Sequence, residues 1–332
     1  MISMTISHKE HNISDELATD MYYSMLRARR VDERLWLLNR SGKIPFVISC
    51  QGQEAAQVGA AFALDLTQDY IAPYYRDLGL VLQAGMSVKD IMLNAFAKGE
   101  DPNSGGRQMQ AHWSHKQLRI LSGSSPVTTQ VVHAAGVALA GKMTQKNFYT
   151  FVTLGEGSSN QGDFHEGLNF IGVHQLPVIT MVENNQYAIS TPYDRQVASP
   201  TVAQRAGSYN MPGVVVDGTD PLAVYIEVKK ARLSNKPALI EALCSRLTPH
   251  SSDDDHRVYR SSEELQSDKD KDGLHHYELY LRNEGLLTDA RIEEMEAQLK
   301  VEINEATNYA DQAPYASLEH NLRYVYAEEE TS

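Results

Sequence analysis

Cysteine is scarce in this sequence: among 332 residues only Cys50 and Cys244 occur, and both lie in apolar stretches. Two cysteines are too few for the disulfide framework of a small secreted protein, so a reducing compartment is expected. No apolar run approaches the roughly 20 residues that a membrane-spanning helix needs. The opening segment has neither the apolar core of a signal peptide nor the basic character of a transit peptide. These absences predict a cytoplasmic protein.

Basic charge is also in short supply, because 30 lysines and arginines are outnumbered by 43 aspartates and glutamates, for a formal net charge of −13. This balance opposes nonspecific attraction to nucleic acid and to anionic membranes, and neither is expected as a partner. An acidic protein can still bind a small anion in a local pocket. Hydrophobic residues make up 42% of the chain, enough for a sizeable core, which excludes a disordered or fibrous protein.

The order of the predicted elements indicates an α/β fold. Apolar residues recur at helical spacing from Asp15 to Arg40, and two shorter helical patterns span residues 51–64 and 88–97. Short apolar runs rich in Val, Ile, Leu and Thr then alternate with helical stretches; they span residues 148–154, 178–182, 213–216 and 238–244. This alternation is typical of βαβ units, so a doubly wound parallel sheet flanked by helices is predicted.

The ends of the chain differ from its middle. We predict an N-terminal tail over residues 1–20, an α/β domain over residues 21–267 and a charged, helical C-terminal extension over residues 268–332. The extension closes with an apolar-acidic tail. Within the domain, the segment DYIAPYYRDLG at residues 69–79 is predicted to be a loop that carries function. The sequence shows no internal repeats and no low-complexity linker.

Glycines follow the first of the central predicted strands. Ligands of open parallel sheets bind outside the carboxyl ends of the strands, where Gly155 and Gly157 stand. Both glycines let the backbone approach a ligand closely. A helix beginning near Ser158 or Asn160 would direct free N–H groups at an anion, and a diphosphate fits that position.

Oxygen donors accompany these glycines. Glu156 offers a carboxylate, Asn185 after the next strand offers an amide oxygen, and the main-chain carbonyl of Tyr187 can complete one side of a cation. Such donors suit Mg²⁺, which would bridge protein and diphosphate. Taken alone, a Gly-x-Gly turn usually only connects a strand to a helix, and an Asn-Asn pair is often a simple turn. Their joint occurrence, one βαβ unit apart, is much more specific.

This combination resembles the thiamine-diphosphate signature, written as Gly-Asp-Gly, a gap of about two dozen residues, then Asn-Asn. Glu156 replaces the aspartate and keeps the ligating carboxylate. The wider sequence, from about Tyr22 to the helical C-terminal region, is similar to the alpha subunits of 2-oxo acid dehydrogenases. The resemblance implies the thiamine-diphosphate-binding fold, with thiamine diphosphate and Mg²⁺ as cofactors and a 2-oxo acid as substrate.

Further site residues are implied by this resemblance. The segment APYYRDLG is similar to the family element in which Tyr75 and Arg76 contact the diphosphate, with Arg76 as a bidentate cationic fork. An exposed salt bridge is the alternative for this arginine. The resemblance implies the following cofactor-binding set: Tyr75, Arg76, Ser125, Val127, Gly155, Glu156, Gly157, Ser158, Asn185, Tyr187, Ile189 and His250.

The segment SGSSPVTTQ is similar to a family loop that approaches the thiamine through Ser125 and Val127. In that family the loop also holds a structural potassium ion through oxygen ligands. The matching residues of this chain are Ser124, Pro126, Thr129 and Gln130. A Ser/Pro turn that caps the helix from Val131 is an alternative that could hold at the same time.

The segment SRLTPHSSDDDHRVYRS aligns His250 with the family's active-site histidine, which lies on a mobile loop. A histidine can donate to a phosphate or carboxylate and move protons near neutral pH. Ser251 and Ser261 match regulatory phosphoserines of mitochondrial relatives, but nothing here indicates a mitochondrial protein. Glu183 stands where some relatives carry arginine. An acid near a diphosphate is unfavourable unless it turns away or meets a cation, so no cofactor contact is assigned to it.

Partners and substrate follow from the same resemblance. In this family the glutamate that activates the cofactor comes from a beta subunit, which implies a heterotetramer of two alpha and two beta subunits. The acyl product passes to a lipoyl-lysine of an acyltransferase component. The small residues of the predicted helix at 131–142 suit a subunit contact or, equally, a buried intrachain contact.

Branched-chain 2-oxo acids are the expected substrates, because TPHSSDDD followed by YRS resembles the bacterial branched-chain subfamily. A pyruvate or acetoin dehydrogenase alpha subunit is the first alternative. A noncatalytic assembly subunit of the same fold is the second. A nicotinamide-dependent dehydrogenase is disfavoured because GEGSSNQG lacks the third glycine of the dinucleotide fingerprint.

Overall fold

The computed structural model describes residues 6–319. The end of the predicted C-terminal extension, residues 320–332, and residues 1–5 of the predicted N-terminal tail lie outside the described residues. The first long helix, α1, spans Asp15–Arg40, as predicted. It begins there because the side chain of Ser14 accepts a hydrogen bond from the backbone N–H of Leu17 at 3.1 Å.

The predicted α/β fold with a parallel sheet is confirmed. The sheet has the strand order β1-β2-β3-β7-β6, and every pairing in it is parallel. Its strands are β1 (Tyr70–Ala72), β2 (Thr150–Gly155), β3 (Val178–Asn184), β6 (Gly213–Asp217) and β7 (Ala238–Leu243). Every residue of β3 is buried, which explains why the central predicted strands are nearly continuous apolar runs.

Short connecting helices and one hairpin complete the fold. The hairpin pairs β4 (Tyr187–Ala188) with β5 (Thr191–Pro192) in antiparallel register. The remaining helices are α2 (Glu54–Ala63), α3 (Leu78–Gln83), α4 (Val88–Ala95), α5 (Thr129–Met143), α6 (Gly162–His174), α7 (Pro221–Leu233), α8 (Ser262–Lys269), α9 (Gly273–Asn283) and α10 (Asp289–Gln312).

Two sequence-based predictions of local structure are wrong. The segment 69–79 is not entirely loop, because Tyr70–Ala72 forms the edge strand β1 beside β2 and α3 begins at Leu78. A strand of three residues is too short to show an alternating pattern. The helix expected near Ser158 or Asn160 begins later, at Gly162, since Gly157–Asn160 forms a single 3-10 turn.

Helices cover both faces of the sheet. On one face, α5 and α6 pack on Val152, Leu154 and Val182. On the other face, a larger cluster joins Phe151 and Ile179 to the helices at both ends of the chain. Successive residues of a strand point to opposite faces, which is why neighbouring residues of β2 belong to different clusters.

The C-terminal helices pack on the first helix. The hydroxyl of Tyr277 in α9 donates to the carbonyl of Ala18 at 3.0 Å. The guanidinium of Arg29 in α1 donates to Asp272 at 2.9 Å and to Glu54 of α2 at 2.5 Å. These contacts link α1, α2 and α9, whose buried apolar residues also belong to one hydrophobic cluster. The domain boundaries predicted at residues 20 and 267 remain predictions.

Candidate active site

A cavity of about 280 Å³ opens at the carboxyl ends of the strands, where the sequence predicted the site. It contains most of the residues predicted to bind the cofactor. The cavity is lined by Tyr74, Tyr75, Arg76, Val127, Gly155, Glu156, Gly157, Ser158, Asn185, Tyr187, Ala188, Ile189 and His250. Ser125 is the one predicted cofactor residue outside this lining.

The glycine turn after β2 forms the inner wall of the cavity. A Cβ atom on Gly157 would lie 2.4 Å from the Cβ of Ala188, so only glycine lets the hairpin β4–β5 pack this closely. The turn is anchored from outside, because the hydroxyl of Thr128 donates to the carbonyl of Ser158 at 2.8 Å.

Glu156 presents a buried carboxylate without a cationic partner. Its side chain is 1% exposed, and among the described residues it takes part in no salt bridge. Its two oxygens accept only neutral donors, the backbone N–H of Asn185 at 3.3 Å and the Nε2 of Gln196 at 3.2 Å. Burial raises the pKa of Glu156 because the charged form is poorly solvated. A divalent cation at this edge would offset that cost.

Neutral oxygen donors stand beside this carboxylate. Asn185 lies next to Glu156, and its amide oxygen accepts from the N–H of Tyr187 at 3.2 Å. In the part of the chain that the structure describes, no group of three His, Cys, Asp or Glu side chains could hold a metal. One carboxylate with amide and carbonyl oxygens therefore fits Mg²⁺ only if a ligand completes its shell.

Arg76 brings a buried positive charge to the same cavity. Its side chain is 2% exposed and forms no salt bridge within residues 6–319, so the alternative of an exposed salt bridge is wrong. Nη1 donates to the carbonyl of Ser49 at 2.5 Å, whereas Nε has no partner among the described groups. A buried guanidinium with a free N–H fits a phosphate anion.

His250 lies beside this arginine. Nη2 of Arg76 contacts Nδ1 and the carbonyl oxygen of His250, both at 3.3 Å. Because arginine only donates, Nδ1 must accept, and the imidazole proton is on Nε2. Burial and the charges of Arg76 and Arg246 lower the pKa of His250 to about 3. The ring is therefore neutral at physiological pH.

The loop before α5 divides into a part inside the cavity and a part outside it. Val127 lines the cavity, but Ser125 is exposed, with its hydroxyl 2.5 Å from Nε2 of His112. His112 was not identified from the sequence. The N-cap of α5 is Thr128, whose side chain makes no capping bond, so the predicted Ser/Pro cap is absent from this helix start.

The oxygens predicted to hold potassium lie close to this loop. The hydroxyl of Thr129 donates to the carbonyl of Pro126 at 3.3 Å. Gln130 donates through Nε2 to the carbonyl of Thr153 at 3.0 Å, and its buried Oε1 has no partner among the described atoms. An unpartnered buried oxygen fits a cation there. Ser124, the fourth predicted ligand, is only partly exposed.

Glu183 turns away from the cavity, which removes the electrostatic conflict noted in the sequence. It is fully buried, and its Oε2 accepts from Nε2 of Gln57 at 3.0 Å and from the hydroxyl of Tyr74 at 3.2 Å. Asp77, also fully buried, lies beside it and accepts from the N–H of Tyr74 at 2.8 Å and from the hydroxyl of Thr153.

The two carboxyl groups beneath the cavity lie in surroundings that disfavour a negative charge. Burial and the charge of Glu183 raise the pKa of Asp77 well above its usual range, and burial raises the pKa of Glu183 as well. The sequence drew attention to Glu183 only as an acid near the predicted diphosphate, and it did not single out Asp77, because an Asp in a loop is common. Only the fold brings them together.

Helix α5 uses its small residues in part for packing within the chain. Ala134, Ala138 and Gly141 are buried, and a Cβ on Gly141 would lie 2.6 Å from the ring of Phe148. Gly136 lies on the exposed side with open space around it. Packing within the chain thus accounts for the small residues on one face of α5. The small residue on the other face is exposed, where a subunit contact remains a prediction.

The structure is thus an α/β protein whose parallel sheet places a buried acid and a buried guanidinium in one cavity at its carboxyl edge. The chain belongs to the dehydrogenase E1 component family, whose profile matches residues 22–319. The predicted family resemblance is confirmed.

Relatives with assigned names align over nearly the whole chain. A 2-oxoisovalerate dehydrogenase subunit alpha of Bacillus subtilis is 59% identical over 327 residues, which cover 97% of this chain and 99% of the relative. A 3-methyl-2-oxobutanoate dehydrogenase subunit alpha of Mycobacterium tuberculosis is 35% identical, covering 96% and 84%. A pyruvate dehydrogenase E1 component subunit alpha of Staphylococcus aureus is 36% identical, covering 93% and 83%.

Among the described residues, no helix is both long and apolar enough to cross a bilayer.

Proposed function

We propose that this chain is the alpha subunit of a thiamine-diphosphate-dependent dehydrogenase that acts on branched-chain 2-oxo acids. The observation that carries the proposal is the cavity, in which the unpaired carboxylate of Glu156 and the unpaired guanidinium of Arg76 face one space. A diphosphate with a bound Mg²⁺ supplies both missing partners at once. The 59% identity with a 2-oxoisovalerate dehydrogenase subunit alpha favours branched-chain substrates over pyruvate.

Each wall of the cavity has a role in this proposal. Glu156, Asn185 and the carbonyl of Tyr187 hold Mg²⁺, and Arg76 with Tyr75 holds the diphosphate. Gly155, Gly157 and Ser158 let the backbone approach the same phosphates. Val127, Ile189 and, at the entrance, Ser125 border the thiamine. Potassium, the least supported cation, would be held by the oxygens of Ser124, Pro126, Thr129 and Gln130.

Thiamine diphosphate, when bound, supplies the electron sink for decarboxylation. The residues of this chain bind and orient it, and they control protons around it. His250 carries its proton on Nε2 because Nδ1 accepts from Arg76. Nε2 can donate that proton to a phosphate or to the carboxylate of the substrate.

The proposal includes partners. A beta subunit would supply the carboxylate that activates the cofactor, in a heterotetramer of two alpha and two beta subunits. A lipoyl acyltransferase component would accept the acyl group. The exposed side of α5, with Val132 at 42% and Met143 at 76% exposure, is available for a subunit contact. The chain is proposed to act in the cytoplasm.

The test compares the isolated chain with the chain produced together with a beta subunit. We expect tight thiamine diphosphate binding and 2-oxo-acid-dependent reduction of an artificial electron acceptor only in the mixed complex. The isolated chain makes only part of the contacts to thiamine diphosphate. It should bind the cofactor weakly, because the entropic cost of immobilising the cofactor is the same as in the complete site. A panel of 2-oxoisovalerate, pyruvate and acetoin identifies the substrate. Full activity of the isolated chain would overturn the subunit assignment.

A further inference from the structure

The hairpin β4–β5 contains a backbone conformation that its sequence does not favour. Ala188 pairs with Thr191, so Ile189 and Ser190 form a two-residue turn. Ile189 has a φ of +55°, in the left-handed region. Two-residue hairpins usually place Gly or Asn at such a position, and a β-branched residue there is a clear outlier. The turn is therefore held in place by something outside itself.

Arg246 provides the external contact. Nη1 and Nη2 each donate to the carbonyl oxygen of Ile189 at 3.1 Å. The same guanidinium donates to the hydroxyl of Tyr259 at 2.7 Å and lies 5.7 Å from the ring centroid of Tyr187. Its side chain is 1% exposed, and no carboxylate forms a salt bridge with it within residues 6–319. A buried arginine thus uses both terminal nitrogens on one backbone carbonyl.

The strained residue borders the candidate cofactor site. Ile189 lines the cavity, and its side chain is 56% exposed, so it is not kept in this conformation by burial in the core. The neighbouring Ala188 lies directly against the glycine turn, where a Cβ on Gly157 would come within 2.4 Å. A small rotation of the hairpin would change both the width of the cavity and its contact with that turn.

We propose that Arg246 is a positioning residue, which holds the Ile189–Ser190 turn in its left-handed conformation and so sets the outer wall of the cofactor cavity. The proposal rests on the proposed function, because its effect is measured as thiamine diphosphate binding. Strained backbone persists only where surrounding contacts over-determine it. A two-donor contact to one carbonyl is such a constraint, and a lysine or glutamine cannot reproduce its geometry.

Two other roles for Arg246 make different predictions. The guanidinium could contact the diphosphate directly, or it could only order the segment that carries His250 through its bond to Tyr259. In either case the loss of thiamine diphosphate affinity on substitution of Arg246 would not depend on which residue occupies position 189. If Arg246 acts through the strained turn, substitution of Arg246 must cost less affinity once residue 189 adopts a positive φ without strain.

The experiment is a double-mutant cycle on the chain complexed with its beta subunit. Arg246→Gln is made in the wild type, in Ile189→Gly and in Ile189→Val, and the dissociation constant of thiamine diphosphate is measured calorimetrically with saturating Mg²⁺. We expect Arg246→Gln to weaken binding about tenfold in the wild type and in the Ile189→Val background, which keeps the strain. In Ile189→Gly the loss should shrink to about threefold or less, since glycine adopts a positive φ freely.

A second readout does not depend on the cofactor. In the absence of thiamine diphosphate, Ile189→Gly should raise the thermal unfolding midpoint more in the Arg246→Gln background than in the wild type. Arg246→Lys serves if the glutamine variant fails to fold, and it should show the same dependence on position 189. An equal loss of thiamine diphosphate affinity on Arg246→Gln in the wild type, in Ile189→Val and in Ile189→Gly would overturn the proposal. A wild-type complex that binds no thiamine diphosphate would instead refute the proposed function.

Discussion

The floor and the rim of the cavity are built in different ways. The floor consists of the glycine turn at 155–157 with Asn185, above the buried acids Asp77 and Glu183. Asn185, Asp77 and Glu183 each take part in hydrogen bonds within the chain. The rim consists of Ser125, Ile189 and His250, where Ser125 is exposed and Ile189 is 56% exposed. The floor is thus held by contacts within this chain, whereas Ser125 and Ile189 at the rim are open to solvent.

The comparison predicts that removal of His250 from the rim affects the rate, whereas removal of a metal ligand from the floor affects binding. The largest effect is expected for His250→Asn, which should lower kcat about 100- to 1,000-fold, because a positioned proton donor is removed. Thiamine diphosphate affinity should change little, since His250 lies beside the cradle formed by Glu156 and Asn185. Steady-state kinetics and calorimetry on the same preparation separate the two quantities. Parallel losses of rate and affinity would place His250 in the floor.

A substitution in the floor should instead reduce cofactor affinity. Glu156→Gln should weaken binding of Mg²⁺ and thiamine diphosphate together by about 10- to 100-fold, because in the proposed site Glu156 holds the metal that bridges to the diphosphate. Glu166→Gln is the matched control, as Glu166 is an exposed carboxylate on α6. Calorimetric titrations of both variants provide the check, and unchanged cofactor affinity in Glu156→Gln would refute the metal assignment.

Asp77, the buried acid with the raised pKa beneath the floor, can be replaced by a side chain of the same size. Asp77→Asn should leave stability nearly unchanged, because an amide presents the same acceptor to Tyr74 and the same donor to Glu183 as a protonated carboxyl. Asp77→Ala leaves those buried groups unpartnered and should cost about 1–3 kcal/mol. Urea unfolding of both variants makes the comparison. A clear stabilisation by Asp77→Asn would show that both acids are charged in the native protein.

The smallest expected effect concerns pH. The pKa of His250 is lowered to about 3 in the folded chain, so this residue binds protons more tightly after unfolding. Its contribution to stability is complete above its unfolded pKa of about 6.5 and is lost as pH falls toward 3. Between pH about 7.5 and about 5.5 the loss is about 1 kcal/mol. His250→Asn should remove that dependence, and an identical pH profile would contradict the neutral, buried imidazole.

Much of the floor could be predicted from the sequence because its residues are close in the chain and carry strong local signals. Gly155, Glu156 and Gly157 follow an apolar strand directly, and Asn185 follows the next one. Parallel strands end at the same edge of a sheet, so strand order along the chain brings these residues together. The site at this edge, the sheet and the long first helix were all anticipated on such grounds.

The contacts that cross between distant segments could not be predicted. Asp77 and Glu183 are ordinary acids until β3 carries one beside the loop that bears the other, and the raised pKa of Asp77 depends on complete burial. Arg246 has no local motif, and its acceptor is a backbone carbonyl that any residue could supply. The strand Tyr70–Ala72 was missed because three residues acquire their structure from the pairing with β2.

The sequence by itself determined the fold class, the family and the chemical types gathered at the edge of the sheet, because periodicity, glycine turns and strand ends are local properties. Tertiary structure alone decided the state of those groups: Glu183 turned away from the cavity, His250 neutral beside Arg76, and Ile189 left-handed under Arg246. Burial, charge and backbone strain depend on neighbours brought from elsewhere in the chain, and no local pattern encodes them.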